Sequence, residues 1–161
     1  MDVFVLRHAI AEDALAGQAD SERRLTEEGK SKLRLVVAKA KVAGFLPGLV
    51  LTSPYVRTRQ TTEVMLESLG APCETIVTQN LIPYASVIDL WSEMREYGRV
   101  GPLVLVGHNP LLSELVSVMI GSPRYAVEMK KAALAYVSDV GYGSQPQGRL
   151  VWLLTAKLAG V

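Results

Sequence analysis

The feature that most constrains the fold of this chain is the alternation of short apolar runs with segments of helical periodicity. The runs Val3–Leu6, Leu49–Thr52 and Leu103–Val106 contain no charged residue, which is typical of strands buried on both faces of a parallel sheet. Between the first two runs, apolar side chains recur at positions 33, 36, 37 and 40, the spacing of one helix face. Strands that alternate with helices in this way predict an α/β fold.

The whole chain can be divided into elements by the same patterns. Strands are expected at Val3–Leu6, Leu49–Thr52, Glu74–Thr78, Pro102–Gly107, Ala133–Asp139 and Arg149–Leu154. Helices are expected from Thr26 to Gly44, from Ser53-Pro54 to near Leu69, at Val87–Tyr97 and from near Pro110 to Ile120, with a loop over 11–24. These elements predict a three-layer α/β/α sandwich with a mostly parallel central sheet, an antiparallel edge from the C-terminal hairpin, and a single domain over residues 1–161.

Composition and charge exclude several classes of function. Seventeen basic residues stand against 16 acidic ones, for a net charge of +1, so no electrostatic footprint for nucleic acid or an anionic membrane is expected. Cys73 is the only cysteine, which excludes an intrachain disulfide and favours a structural thiol. The N-terminus does not resemble a signal peptide, and no apolar stretch is long enough to span a bilayer. A cytoplasmic location is therefore expected.

The residues that carry chemistry follow the predicted strands. Arg7-His8 follows the first strand, Ser53-Pro54 and then Arg57 follow the second, and His108-Asn109 follows the strand that ends at Gly107. His8 and His108 are the only histidines. Because ligands of open α/β sheets bind beyond the carboxyl ends of the strands, these side chains are expected to converge on one site.

Two imidazoles and two guanidinium groups together suit phosphoryl transfer. A neutral imidazole nitrogen can attack phosphorus and carry the phosphoryl group covalently, while arginine forks match phosphate oxygens and stabilise the charge of the transition state. Each residue also has an ordinary interpretation: a histidine at a strand end can be solvated, and Arg7 can pair with Glu12 on the surface. A metal site is not expected, since two histidines without a clear third ligand coordinate zinc poorly.

Three segments resemble the motifs of a known family. Leu6-Arg7-His8-Ala9 resembles the Arg-His-Gly motif of the histidine phosphatase superfamily, Ser53–Thr61 resembles its Ser-Pro-x-x-Arg-x-x-Gln-Thr motif, and Gly107-His108-Asn109 resembles its late Gly-His motif. The segment Arg23–Gly29 resembles more specifically the SixA-type phosphohistidine phosphatases.

The resemblance implies a role for each matching residue. His8 would be the residue phosphorylated in the intermediate, and Arg7, Arg57 and His108 would form the rest of the phosphate pocket. Two further residues are candidates for substrate binding: Arg23, which matches an arginine of the SixA-type proteins, and Asn109. No metal or organic cofactor is implied, and Arg59 is interpreted as a surface residue.

Two departures from the family pattern bear on chemistry. Ala9 replaces the usual glycine, which tolerates closer backbone approach. Larger members carry a carboxylate general acid near the end of the third strand, whereas the corresponding stretch here, Asn80–Tyr84, has none; Glu74 and Asp89 remain as alternative acids. A phosphoester needs its alkoxide leaving group protonated, whereas a phosphoramidate nitrogen can be protonated beforehand, so the sequence favours cleavage of an N–P bond.

We therefore expect a phosphatase that hydrolyses phosphohistidine on a partner protein through phospho-His8. This reaction indicates a role in signal transduction. From the composition we expect no binding to nucleic acid or membrane. The sequence does not define the oligomeric state, and a monomer is expected. Two alternatives remain at this point. One is a phosphatase of a small phosphoester metabolite, and the other is a phosphate-reading binding module with little turnover.

Overall fold

The apolar runs form the central strands of one mixed sheet in the computed structural model, which describes residues 1–160. The strands are β1 (Val3–Arg7), β2 (Leu49–Thr52), β3 (Thr75–Val77), β4 (Leu103–Gly107), β5 (Leu134–Ser138) and β6 (Arg149–Leu154). Within these residues they form a six-stranded sheet in the order β3-β2-β4-β1-β5-β6. The first four strands pair in parallel, and β5 and β6 pair antiparallel. The predicted α/β sandwich with an antiparallel C-terminal edge is confirmed.

Four α-helices connect or follow the strands, close to the predicted bounds. They are α1 (Glu27–Val42), α2 (Val56–Leu69), α3 (Val87–Tyr97) and α4 (Leu111–Met119). The hydroxyl oxygen of Thr26 caps α1 by accepting a hydrogen bond from the Gly29 backbone N–H, as the sequence indicates. The one clear displacement is at α2, which starts three residues after Ser53 because Tyr55 is still extended. None of the helices in residues 1–160 combines the length and apolar composition needed to cross a membrane.

The sheet separates two apolar cores, because alternate residues of each central strand point to opposite faces. Val3 and Val5 of β1 pack with the buried side chains of α3 and α4. Phe4 and Leu6 of the same strand pack on the other face with those of α1 and α2. The central strands β1, β2 and β4 are therefore fully covered, which explains their uninterrupted apolar sequences.

Parallel pairing brings the ends of the three central strands to one edge of the sheet. Arg7 of β1 lies opposite Gly107 of β4, and Thr52 of β2 lies opposite Val106. The pairing continues one residue further, since the His8 N–H donates to the Gly107 carbonyl at 3.0 Å and the Ser53 N–H donates to the Val106 carbonyl at 3.0 Å. Strand register thus places the chain segments that carry His8, Ser53 and His108 side by side.

The polar stretch 11–24 is more ordered than the loop expected from its sequence. An isolated bridge pairs Ala11 with Leu25 at its two ends, and residues Asp20–Glu22 form a short 3₁₀ turn. Ala11 and Leu25 are both buried. The stretch is consequently held against the edge of the sheet where the strands end.

Gly29 allows α1 to lie directly against the segment that follows His8. A Cβ atom at this position would lie 2.3 Å from the Ile10 carbonyl oxygen and 2.9 Å from the Ile10 nitrogen. The clash would be with backbone, which cannot rotate away as a side chain can. The glycine is therefore required by close packing, although it lies within a helix.

We predict that Gly29→Ala destabilises the protein. An ordinary glycine-to-alanine change in a helix stabilises by up to about 1 kcal/mol, but forced overpacking here is expected to lower the free energy of unfolding by about 1–3 kcal/mol. Urea unfolding of the variant and wild type measures the difference. Ser31→Ala, at an exposed position of the same helix, is the control and should be neutral or slightly stabilising. A stability gain for Gly29→Ala would contradict the packing argument.

Candidate active site

A cavity of about 460 Å³ lies beyond the carboxyl ends of β1, β2 and β4. It contains the six residues to which the family resemblance gives a role: Arg7, His8, Arg23, Arg57, His108 and Asn109. These residues come from segments up to 102 positions apart. The lining residues are Arg7, His8, Asp20, Arg23, Arg57, Pro83, Tyr84, His108, Asn109 and Lys131. The ring centroids of the two histidines are 5.1 Å apart, so both imidazoles face the same space.

His8 is oriented by a hydrogen bond to its neighbouring carbonyl group. Its Nδ1 lies 2.8 Å from the Ala9 carbonyl oxygen. Because a carbonyl oxygen can only accept, Nδ1 carries the proton of the neutral ring and Nε2 keeps its lone pair. Burial, followed by the nearby charges of Arg57, Arg7 and Lys131, lowers the pKa of His8 to about 3 despite this hydrogen bond. The ring is therefore neutral at physiological pH, with Nε2 available as a nucleophile.

The main chain beside His8 is held by a residue of α2. The Ala9 N–H donates to the Thr61 hydroxyl oxygen at 3.2 Å, and the Thr61 hydroxyl donates to the Arg57 carbonyl at 2.6 Å. Ala9 itself is fully buried, so a methyl group is accommodated where glycine is usual. Thr61 thus links the segment of the nucleophile to the helix that carries Arg57.

His108 is fixed from the opposite side by Ser53. Its Nε2 lies 3.0 Å from the Ser53 hydroxyl oxygen, and that oxygen also accepts a hydrogen bond from the Tyr55 N–H at 3.4 Å. When the serine hydroxyl donates to Nε2, the neutral ring carries its proton on Nδ1. Burial, and then the proximity of His8 and Arg57, places the pKa of His108 far below its ordinary value.

Each of the two arginines donates hydrogen bonds to the protein from the outer nitrogens of its guanidinium group. Arg57 Nη1 donates to the Asp20 carbonyl at 2.5 Å, and its Nη2 donates to Asp20 Oδ2 at 2.8 Å. Arg7 Nη1 donates to the Met129 carbonyl at 2.8 Å. Arg57 is only 4% exposed, and the Tyr55 ring lies 4.9 Å from its guanidinium carbon. Both cations are therefore positioned without any bound ligand.

Buried polar atoms without a partner concentrate in this site. Within residues 1–160 they are Arg7 Nε, Arg57 Nε, His108 Nδ1 and Asn109 Oδ1. Buried donors are normally satisfied, and three of these four atoms are nitrogens that can donate to an anion. Their common location indicates that the cavity is arranged for a ligand rich in acceptor oxygens.

Arg23 and Asn109 line the cavity and also hydrogen-bond to other segments around it. Arg23 bonds to Asp20 Oδ1 at 2.9 Å and to the Glu12 carbonyl at 2.6 Å. Asn109 Nδ2 donates to the Met129 carbonyl at 3.0 Å, the same oxygen that holds Arg7. The alternative ion pair between Arg7 and Glu12 is not formed.

The structure corrects the sequence analysis on the possible acids. Glu74 and Asp89 are exposed and do not line the cavity, because one precedes β3 and the other lies on the outer face of α3. Arg59 is exposed, as expected. Asp20 and Lys131 line the cavity and were missed, since each lies in an irregular segment where no periodicity or motif marks its position.

Cys73 lies apart from the site. Its Sγ is 3.7 Å from the Pro47 carbonyl oxygen, and the residue is partly exposed. Burial, and secondarily the charge of Glu74, raises the pKa of this thiol. It therefore stays protonated at neutral pH, which agrees with a structural thiol.

Comparison with known proteins finds a matching family model, similar proteins and a similar structure. The model of the histidine phosphatase superfamily (branch 1) matches residues 3–82. An uncharacterised protein of Picosynechococcus is 33% identical over 137 residues, 83% of this chain and 82% of the relative. The phosphohistidine phosphatase SixA of Escherichia coli is 31% identical over 119 residues, 73% of each chain. The structure of the protein histidine phosphatase SixA in complex with tungstate superposes with a TM-score of 0.86 at 26% identity, covering 98% of both chains.

The buried histidines are predicted to make the fold sensitive to acid. The pKa of His8 falls from 6.5 to about 3 in the folded chain, so the unfolded chain binds more protons between these values. The free energy of unfolding therefore decreases as the pH drops below 6.5. Between about pH 7.5 and about pH 5 the loss is at most about 2 kcal/mol per histidine.

Urea unfolding of wild type, His8→Gln and His108→Gln at both pH values tests this linkage. Glutamine does not titrate, so each variant should lose less stability than wild type on acidification. The same pH dependence in all three proteins would show that neither imidazole is held neutral.

Proposed function

The chain belongs to the histidine phosphatase superfamily, and we propose that it is a phosphohistidine phosphatase that dephosphorylates a histidine of a partner protein. The observation that carries the proposal is the orientation of His8. Its Nδ1–H bond to Ala9 leaves a neutral Nε2 facing the other cavity residues. A phosphate-reading module would have no need of a free nucleophilic nitrogen.

In the first step, His8 Nε2 attacks the phosphorus of the substrate. A bond forms between Nε2 and phosphorus, and the bond between phosphorus and the leaving nitrogen breaks with its electron pair retained by that nitrogen. The Ala9 carbonyl stabilises the positive charge that develops on the His8 ring, since it already accepts the Nδ1 proton. Water then attacks the phosphorus of phospho-His8, and the bond between Nε2 and phosphorus breaks with its electron pair retained by Nε2. The phosphate leaves with the protons of the water, and the neutral ring is restored.

Arg7, Arg57 and His108 surround the phosphoryl oxygens during both steps. The unpartnered nitrogens of these residues supply hydrogen bonds that strengthen as negative charge spreads over the oxygens. Because their outer ends are already fixed by Met129 and Asp20, little reorganisation is required. The complex of the related SixA with tungstate supports an oxyanion as ligand of this site.

The choice of phosphohistidine rests on the chemistry of the leaving group. The stretch Asn80–Tyr84 contributes no carboxyl group to the cavity, so a general acid at the family position is lacking. An imidazole that is protonated on its other nitrogen departs as a neutral ring without further help. A sugar alkoxide would require a proton donor.

The form of the cavity supports a protein as substrate. Tyr84 at its rim is 87% exposed, and Lys131 is also exposed. A histidine on the surface of a second protein can therefore reach the phosphoryl site, with Tyr84 and Lys131 in contact with the surrounding surface.

We predict that His8→Asn abolishes turnover of a phosphohistidine protein, with a loss of about 1,000-fold or more in kcat. Asparagine can still donate to the Ala9 carbonyl but has no nucleophilic nitrogen. Release of phosphate from a phosphohistidine protein measures the effect, with phospho-His8 detected on denaturing gels under alkaline conditions. Arg59→Gln, an exposed arginine of the same second motif, is the control and should retain full activity.

A substrate panel separates the proposal from a metabolite phosphatase. Initial rates are compared on a phosphohistidine protein, para-nitrophenyl phosphate and sugar phosphates. The proposal requires the highest kcat/KM on the phosphohistidine protein. Faster hydrolysis of a sugar phosphate would overturn it, and binding without turnover in wild type would indicate a phosphate-reading module.

A further inference from the structure

Asp20 is the only carboxylate among the cavity-lining residues of the described chain. Every other charged side chain there is basic: Arg7, Arg23, Arg57 and Lys131. Asp20 lies in the 3₁₀ turn that the bridge between Ala11 and Leu25 holds over the strand ends. Its side chain is 56% exposed, which places it at the mouth of the cavity rather than at the floor occupied by the histidines.

The contacts of Asp20 fix its carboxylate beside the phosphoryl site. Oδ2 accepts from Arg57 Nη2 at 2.8 Å, and Oδ1 accepts from Arg23 Nη1 at 2.9 Å. Asp20 occupies the outer end of the Arg57 guanidinium, and Arg57 Nε remains without a partner. A phosphoryl group that hydrogen-bonds to Arg57 Nε would therefore lie beside the Asp20 carboxylate. The carboxylate itself would not occupy the position of that group.

In-line attack determines what lies next to Asp20 during the reaction. The leaving group must be opposite His8 Nε2 across the phosphorus. Because His8 is buried and the Asp20 side chain is exposed, a leaving group that points away from His8 extends towards the mouth of the cavity. The charged groups there are Asp20 and Lys131, which are exposed, and Arg23, which is half-buried. Only Asp20 attracts a cation or accepts a hydrogen bond from a protonated ring.

We propose that Asp20 determines substrate specificity by favouring a phosphoryl group bonded to the nitrogen of a positively charged ring. The inference rests on the proposed function and adds a residue that selects its substrate class. Asp20 interacts with the N–H of the phosphorylated imidazolium and keeps that ring protonated. A leaving group that is neutral or negatively charged gains nothing from the carboxylate.

No proton transfer is needed in this step. The nitrogen of the substrate ring that is not bonded to phosphorus carries a proton throughout. The N–P bond breaks with its electron pair staying on the departing nitrogen, and the cationic ring leaves as neutral imidazole. Asp20 remains a carboxylate, in agreement with its pKa: partial burial acts in the opposite direction, but hydrogen bonds from Arg23 and Arg57 lower it.

The test compares selectivity in wild type, Asp20→Asn, Asp20→Glu and Glu22→Gln. A phosphohistidine protein and para-nitrophenyl phosphate are the two substrates, since nitrophenolate leaves as an anion. We expect Asp20→Asn to lower the ratio of kcat/KM on the phosphohistidine protein to kcat/KM on nitrophenyl phosphate by about tenfold or more, in addition to any loss on both substrates that follows from weaker positioning of Arg57. Asp20→Glu keeps the charge and should retain most of the preference. Glu22→Gln removes an equal charge from the same exposed turn and should leave both values as in wild type.

Each other outcome overturns the inference. Equal losses on both substrates in Asp20→Asn would show that Asp20 only orients Arg57. A selectivity change in Glu22→Gln would show a general effect of charge on the turn. If wild type itself does not hydrolyse the phosphohistidine protein, the proposed function fails and the inference fails with it. If wild type prefers phosphohistidine and Asp20→Asn keeps that preference, the inference alone is wrong.

Discussion

Parallel pairing of β1 with β4 is the interaction on which the site depends. The hydrogen bond from the His8 N–H to the Gly107 carbonyl extends the ladder beyond both strands and sets the two histidine-bearing segments side by side. A register shift of one residue would turn the side chains of β1 to the opposite face of the sheet. The two apolar cores oppose such a shift, because Phe4 and Leu6 are packed on one face and Val3 and Val5 on the other. Core packing and catalytic geometry are thus set by the same register.

Burial gives the cavity its chemical character. Two imidazoles and two guanidinium groups lie in a space where charges are poorly hydrated. The effect of this environment differs between the two kinds of group. The histidines are held neutral, with low pKa values, whereas the guanidinium groups hydrogen-bond to the Met129 carbonyl and to Asp20. A phosphoryl dianion would compensate the positive charge of the guanidinium groups. The site therefore combines a neutral nucleophile with fixed positive charge, which suits attack on an anionic substrate.

The sequence predicted the fold and the clustering of the site residues for identifiable reasons. Fully buried parallel strands leave uninterrupted apolar runs, and the bounds of β6 and α3 were obtained to the residue. Residues at strand ends could be placed because parallel strands finish at one edge. The position of Asp20 could not be predicted, since it depends on a bridge between Ala11 and Leu25 that lies outside the regular elements. The sequence around Glu74 and Asp89 also gave no indication of the direction in which these side chains face. In the structure neither of them lines the cavity.

The hydroxyl group of Thr61 has a consequence for the way the site can move. It accepts from the Ala9 N–H and donates to the Arg57 carbonyl, so one oxygen atom joins the loop after β1 to the first turn of α2. A displacement of that turn carries the neighbouring loop with it and preserves the spacing between His8 and Arg57. Asp20 ties the 3₁₀ turn to the same unit through its two hydrogen bonds with Arg57, so any opening of the site at that turn must break both bonds.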